Sequence, residues 1–451
     1  MSAILDRLKI FLKFRDSRFE DLTKENAKTV LYRDFSAGLV TAMTAIPMAM
    51  GFAIAMGMRP EQGIIAGALA CVIGRTWGGS KYQVYGPTAA FIPLIAALLS
   101  KYDHSFLVLT SIVAGVILCI LGLAGLGKIA KLVPNSIVVG FTVGIGVTIA
   151  LTNITDVLGI QSSGENLIEK LQGIGANIGS YSGFALTLGL LTFVLTKGLL
   201  KISIFIPAPL IAVGISTAIA ATVWADKSLT LIRTKFGEIP TNFFAFTPPK
   251  LPVMTSEVWM DLAYFSAAIV FVSGVESLLC SSMADRLAGN RKTPFNPDKE
   301  FWGQGLVQII TPMVNGFPCT GALARTATSI RAGAVTPMAG YFKAVLKLGM
   351  AIFLASYLEL VPMACIGGIM LWVSTNMINI REVKHVFSTG WFHASLMVYT
   401  AVMVPLTDFL TGVLSALIIY AILRRFVAAD VASEGAHPDD AARVQEPQLV
   451  A

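Results

Sequence analysis

The chain has 451 residues, of which 55% are hydrophobic and 14% charged, with a mean hydropathy of +0.71 and a formal net charge of +7. Soluble domains carry about 25% charged residues, so the composition excludes a soluble globular protein and favours a helical chain that crosses a bilayer many times. The apolar segments are long and continuous rather than short and alternating, which excludes a large β-barrel.

In chain order, residues 1–33 are polar and mixed in charge and read as a cytoplasmic N-terminal arm. No cleavable signal peptide is expected there, and the first span is expected to insert the protein. The apolar runs predict spans at 34–57, 62–79, 86–100, 105–126, 133–158, 181–199 and 205–225. After a loop at 226–259 with Pro240, Pro248, Pro249 and Pro252, they resume at 260–285, 301–315, 321–333, 336–357, 362–379, 392–409 and 411–427. The segments that begin at Gly86, Phe301 and Gly321 are too short to cross fully unless broken or paired. Residues 428–451 are polar and acidic and read as a disordered cytoplasmic tail. The expectation is a transmembrane domain over 34–427, in halves 34–225 and 260–427.

Positive charge supports this order. Lys and Arg crowd the N-terminal arm and the loops on its side, while the other side holds only Arg59, Lys101, Lys170, Lys227, Arg233, Lys235 and Lys250. That asymmetry puts both termini in the cytoplasm and gives an even span count. It also explains the basic balance as membrane orientation, so no nucleic-acid partner is expected. Seven spans per half force opposite orientations on the halves, the geometry of an inverted repeat, in which substrate binds between broken helices near the midplane. The cysteines (Cys71, Cys119, Cys280, Cys319, Cys365) and the four histidines are scattered. Buried small side chains explain the cysteines, and neither a metal site nor a cofactor is expected.

The most unusual stretch is Asn315–Gly340, which carries Arg325, Arg331, glycines, prolines and hydroxyl side chains between apolar runs. Broken backbone and charge at membrane depth are tolerated only beside protein or a water-filled cavity, and such charge is functional by default. The third span of each half opens with similar punctuation: Gly86-Pro87-Thr88-Ala89-Ala90 in the first, Gly321-Ala322-Leu323-Ala324-Arg325-Thr326 in the second. Two helix starts facing each other would supply about one positive charge between them, and Arg325 adds another. The nearest counter-charge is Glu276, in the apolar run Ala267–Met283. Protonation of Glu276 would favour a second negative charge on the substrate, which makes Glu276 the candidate for proton coupling. Asp408, Glu359, Asp261 and Asp156 lie near span ends, where a solvated role is expected. Lys343 and Lys347 are expected at the cytoplasmic rim.

At these residues the sequence resembles the SulP family of anion permeases over about 34–427. Asp34-Phe35-Ser36-Ala37-Gly38-Leu39 with Ile46-Pro47 is similar to the family's first span, and Gly86-Pro87-Thr88-Ala89 to its GPTA motif. Val275-Glu276-Ser277-Leu278-Leu279 matches its eighth span, and Phe301-Trp302-Gly303-Gln304-Gly305-Leu306 its Q-G-L stretch. Gly316-Phe317-Pro318, Arg325-Thr326-Ala327, Ala332-Gly333-Ala334 and Thr336-Pro337 carry the most specific part.

The resemblance implies an all-α, polytopic fold of about fourteen transmembrane segments in a seven-plus-seven inverted repeat with core and gate domains. It implies an elevator-like secondary transporter in a bacterial inner membrane, not an enzyme. Thr88, Ala89 and Ala90 would line one side of the anion, and Leu323, Ala324 and Arg325, with Thr326 beside them, the other. Glu276 would be the coupling carboxylate.

The sequence also departs from the family pattern. A STAS domain usually follows the last helix and none is seen, which leaves the usual dimer contact open. Met48 and Ala324 stand where the family often has Gln and Ser, and Cys280 where it often has Thr. A thiol is a poor ligand for a hard cation, so Glu276 with Cys280 favours a proton over sodium, and Arg325 favours sulfate or a related oxyanion over bicarbonate. Bicarbonate, another anion such as a dicarboxylate, a nucleobase, a passive anion channel and a non-transporting relative are the alternatives.

Overall fold

A computed structural model describes residues 2–13, 15–127, 133–160, 167–240, 244–253, 255–407 and 409–424. Asp408 and the expected tail at 428–451 lie outside the described residues.

The described chain forms α1 (Ser2–Leu12), α2 (Ala27–Ala55), α3 (Pro60–Trp77), α4 (Phe91–Lys101), α5 (His104–Ala124), α6 (Asn135–Leu158), α7 (Leu167–Asn177), α8 (Gly183–Ile202) and α9 (Ala208–Thr222). It continues with α10 (Ile232–Phe236), α11 (Ser256–Ala288), α12 (Pro297–Met313), α13 (Leu323–Arg331), α14 (Met338–Leu358), α15 (Met363–Met377), α16 (Ile380–Thr389), α17 (Trp391–Leu406) and α18 (Phe409–Leu423). Each expected span has its helix. The short α1, α7, α10 and α16 come in addition. Four starts differ from expectation by four residues or more: α2 begins at Ala27 rather than Asp34, α11 at Ser256 rather than residue 260 and α12 at Pro297 rather than Phe301, while α4 begins late, at Phe91 rather than Gly86. Polar first turns carry no hydropathy signal, which hides the three early starts in the sequence.

Local chemistry sets several boundaries. Asp103, Ser182 and Thr255 accept backbone N–H groups at the starts of α5, α8 and α11. Left-handed Gly125, Gly159 and Gly289 end α5, α6 and α11, a conformation that costs glycine little.

The packing is symmetric between halves. Helix α5 packs on α12, and its counterpart α14 packs on α3; α2 packs on α14, and α11 on α5. Helix α8 packs on α15 and α17 on α6, while α8 pairs with α9 and α17 with α18. These contacts sort the helices into one group of α2–α5 with α11–α14 and another of α6, α8, α9, α15, α17 and α18. Where α5 crosses α12, the backbones nearly touch. A Cβ on Gly115 would lie 2.6 Å from the Gly305 carbonyl oxygen, and one on Gly305 2.6 Å from the Gly115 carbonyl oxygen. Small residues permit such close helix crossings in membranes.

The polarity is inverted relative to a soluble protein. Helix α14 exposes Val345 and Phe353 (70% and 84%) and buries Lys343 and Lys347 (1% and 0%). Both lysines therefore correct the expectation of a cytoplasmic rim. An apolar exterior over a polar interior is what lipid demands, and it directs polar groups toward a functional centre.

The N-terminal arm is bolted to the first group. Arg18 is buried and donates to the carbonyls of Arg75 and Thr76, both at 3.1 Å. Asp16 accepts from Arg18 Nε (2.9 Å) and from Lys299 Nζ (2.5 Å). Burial raises the Asp16 carboxyl, but the bonds to Arg18 and Lys299 outweigh it and hold the group below its ordinary value. A lowered acid contributes stability above its unfolded value, and that contribution fades as pH falls through the folded value. Asp16→Asn strands two buried cations and is expected to cost roughly 1–3 kcal/mol. A lowered thermal midpoint at pH 7 in detergent, with the gap to wild type closing below about pH 4, checks this.

Candidate functional site

Two residues before the break in each half form a strand. β1 (Tyr85–Gly86) pairs antiparallel with β2 (Thr320–Gly321), in register Tyr85 with Gly321 and Gly86 with Thr320. The pairing extends outward through Ala322 N–H on the Val84 carbonyl (2.9 Å) and Val84 N–H on the Thr326 hydroxyl (2.8 Å). Helices α4 and α13 therefore start beside one another from opposite halves. The N-cap residues are Ala90 and Ala322, and neither helix start has a side-chain cap. The first bond of α13 runs from Thr326 N–H to the Ala322 carbonyl, so the N–H groups of Leu323, Ala324 and Arg325 have no partner within the helix.

Arg325 lies under this junction, 4% exposed. Its Nη2 donates to the Pro87 carbonyl, its guanidinium carbon lies 6.0 Å from the centre of the Phe52 ring, and its Nη1 has no hydrogen-bond partner among the described residues. The free nitrogen faces Gly86, where an added Cβ would lie 3.3 Å from it. From α11, Glu276 accepts the Thr88 hydroxyl at 2.9 Å. Ala89 and Ala90 are buried, and Leu323 and Ala324 exposed. The structure thus brings Thr88, Ala89, Ala90, Glu276, Leu323, Ala324 and Arg325 to one junction. Thr326 differs: it is fully buried, and its hydroxyl is engaged by Val84 N–H and lies 3.3 Å from Cys280 Sγ. It fastens β1 to α13 rather than facing an open space.

A polar network behind the junction escaped the sequence reading. Glu300, in the first turn of α12, is fully buried. It accepts from Gly79 N–H (2.8 Å), Ser80 N–H (3.1 Å), Gln83 Nε2 (2.8 Å), Tyr85 OH (2.8 Å) and Ser277 Oγ (2.5 Å). Gln308 holds the chain before β2, donating to the Cys319 carbonyl at 2.6 Å and accepting Cys319 N–H at 3.3 Å. Asp34 is also fully buried; it accepts Val335 N–H (2.7 Å) and Thr336 N–H (3.1 Å), and the Thr336 hydroxyl donates to it. It fixes the turn between α13 and α14. The signal available for Glu300 was its place, an acid directly before the apolar run that starts at Phe301.

The four acids expected to be solvated divide. Glu359 is 9% exposed and accepts Ile239 N–H at 2.8 Å. Asp261 is partly buried against Tyr102 OH (2.7 Å) and Asp156 against Lys235 (3.7 Å). Glu359 corrects the expectation, because the chain at Ile239 covers it, whereas the Asp261 and Asp156 side chains stay 18% and 21% exposed. Among the described residues no group of His, Cys, Asp and Glu is arranged to hold a metal.

The junction thus gathers a buried guanidinium and two uncapped helix starts, one from each half. The model of the sulfate permease family matches residues 31–400. The chain belongs to that family. Among its relatives is the "Putative sulfate transporter YvdB" of Bacillus subtilis, 33% identical over 411 residues, which are 90% of this chain and 76% of that protein. The bicarbonate transporter BicA of Picosynechococcus is 26% identical over 394 residues, 84% of this chain and 68% of that one. Of solved structures, the transmembrane domain of a cyanobacterial BicA superposes with a TM-score of 0.75 at 23% identity, over 86% of this chain and 97% of that domain. SLC26A9 gives 0.80 at 18% identity, over 94% of this chain and 69% of that one. At such identities the structural likeness speaks for the fold alone. The family consists of membrane transporters of anions, so this chain is a polytopic membrane protein of an anion-transporting family.

Proposed function

We propose that the chain is a secondary active transporter of an inorganic anion, sulfate or a related oxyanion first, coupled to a proton. The observation that carries the reading is Arg325. A guanidinium does not deprotonate in proteins. Here it is buried, one of its nitrogens has no partner among the described residues, and it lies where two uncapped helix starts meet. Buried charge asks for a counter-charge, and a bound anion supplies it. Thr88, Ala89 and Ala90 line one side of that anion, Leu323, Ala324 and Arg325 the other.

Coupling runs through Glu276. When it is ionised, its carboxylate opposes an anion held beside Thr88; protonation removes that opposition. The group of α2–α5 and α11–α14 carries the site past the group of α6, α8, α9, α15, α17 and α18, in an elevator-like motion. Both termini lie in the cytoplasm and the protein sits in the cell's inner membrane.

Uptake into proteoliposomes tests the reading. Labelled sulfate, bicarbonate and fumarate are compared under imposed proton or sodium gradients. Saturable sulfate accumulation driven by a proton gradient is expected. A conductance linear in voltage, with no accumulation, would instead mark a channel. In the same assay, wild-type uptake is expected to rise as the outside pH is lowered. Glu276→Gln keeps an acceptor for the Thr88 hydroxyl but takes up no proton, so its uptake is expected to be flat with pH. A pH response equal to wild type would remove Glu276 from the coupling role.

A further inference from the structure

Four buried cations surround the β1 junction: Arg75, Arg325, Lys343 and Lys347, each 4% exposed or less. Among the described residues none of the four takes part in an ion pair. All four are answered by backbone carbonyls instead. Arg75 donates to the carbonyls of Lys81 and Tyr82. Lys343 Nζ donates to the Tyr85 carbonyl at 2.9 Å, Lys347 Nζ to the Gly63 carbonyl at 3.2 Å, and Arg325 Nη2 to the Pro87 carbonyl. The nearby carboxylates are committed elsewhere, Glu300 to its five donors, Asp34 to the α13–α14 turn and Glu276 to Thr88.

Lys343 and Arg325 hold carbonyls two residues apart, on either side of Gly86. Successive Cα atoms are about 3.8 Å apart, so both charges act on one short piece of backbone. A cation on a carbonyl oxygen draws electron density across that peptide and makes the following N–H a stronger donor. The peptides concerned are Tyr85–Gly86 and Pro87–Thr88, the entry to α4.

We propose that Lys343 is a positioning and specificity-determining residue of the anion site, whose ammonium on the Tyr85 carbonyl weights the site toward divalent over monovalent anions. The proposal rests on the reading of the junction as an anion site. The attraction of a fixed positive charge for an anion scales with the anion's charge. Removing that charge therefore costs a divalent anion about twice what it costs a monovalent one. Lys347, one turn further along α14, faces Gly63 of α3 and holds that helix against the break.

The test is transport by purified protein in proteoliposomes, with half-saturation and maximal rate measured separately for sulfate and bicarbonate. Lys343→Met removes bond and charge, Lys343→Gln keeps a donor without charge, and Lys343→Arg keeps both. Half-saturation for sulfate is expected to rise about tenfold in Met and Gln, and that for bicarbonate about threefold, in keeping with a doubled charge. Arg is expected to restore the sulfate preference. Equal factors for the two anions, no change in either, or an Arg variant as impaired as Gln would overturn the proposal. If Met does not fold, Gln decides by itself, and if neither uncharged variant folds while Arg does, the lysine is structural and the proposal fails. A wild type that carries only monovalent anions would overturn the role of Lys343 and leave the anion-transport reading standing. A wild type that carries no anion would remove both.

Discussion

Arg325→Gln is expected to leave a folded protein that has lost most of its anion transport. The side chain is buried, but among the described residues its hydrogen bond runs to the Pro87 carbonyl alone, and its other terminal nitrogen has no partner. Little of the fold therefore depends on the guanidinium, and a neutral amide is less costly to bury than a charge. On the proposed reading, a bound anion depends on it heavily. Truncating one partner of a buried, hydrogen-bonded charge pair costs about 2–5 kcal/mol, so the ratio of maximal rate to half-saturation should fall by at least about thirtyfold. The measurement is sulfate uptake alongside a thermal unfolding midpoint. Wild-type stability with lost uptake is the expected combination. Wild-type uptake would mean that the anion binds elsewhere.

Glu300→Ala is expected to have the opposite signature, a loss of the fold itself. Five donors converge on this carboxylate from the turn after α3, from β1 and from α11. Removing the acceptor leaves buried N–H and O–H groups unanswered, and breaking a buried charged network by one member typically costs about 3–5 kcal/mol. That is a large share of the few to roughly fifteen kcal/mol that hold a folded protein together. Glu300→Gln should fall between, because the amide oxygen can still accept while the amide nitrogen faces either the Gly79 and Ser80 N–H groups or Gln83 Nε2 and the Ser277 hydroxyl, which donate to the two carboxylate oxygens in the wild type. Tyr85→Phe removes a single donor and should cost about 1 kcal/mol. Yield of monodisperse protein in detergent and its thermal midpoint rank the series. Wild-type stability in Glu300→Ala would show that water or another group takes over the donors.

Much of this was legible beforehand, for physical reasons. Lipid excludes unpaired backbone and charge, so apolar run length marks the helices, and breaks such as Gly86-Pro87 and Gly321-Ala322 stand out. The pairing of those two breaks in β1 and β2 follows from the inverted halves. The sequence was silent where polarity is spent inside the protein. Lys343 and Lys347 sit in a segment near a presumed rim, and nothing local distinguishes a snorkelling lysine from a buried one. Glu300 sits in the first turn of α12, where a solvated acid is equally common. Thr326 shares a motif with Arg325, yet its hydroxyl is used by Val84. Which polar atom is free and which is committed depends on contacts between segments more than 200 residues apart, such as Val84 with Thr326. Spacing within one segment holds no record of them.

The proposed anion lies between the starts of α4 and α13, on Arg325. Selenate is a heavy analogue of sulfate, and its selenium can be located by anomalous diffraction. A peak between Thr88–Ala90 and Leu323–Arg325, present in wild type and absent in Arg325→Gln, is the predicted result. A peak elsewhere in the membrane region, or one at the junction that persists without Arg325, would contradict it.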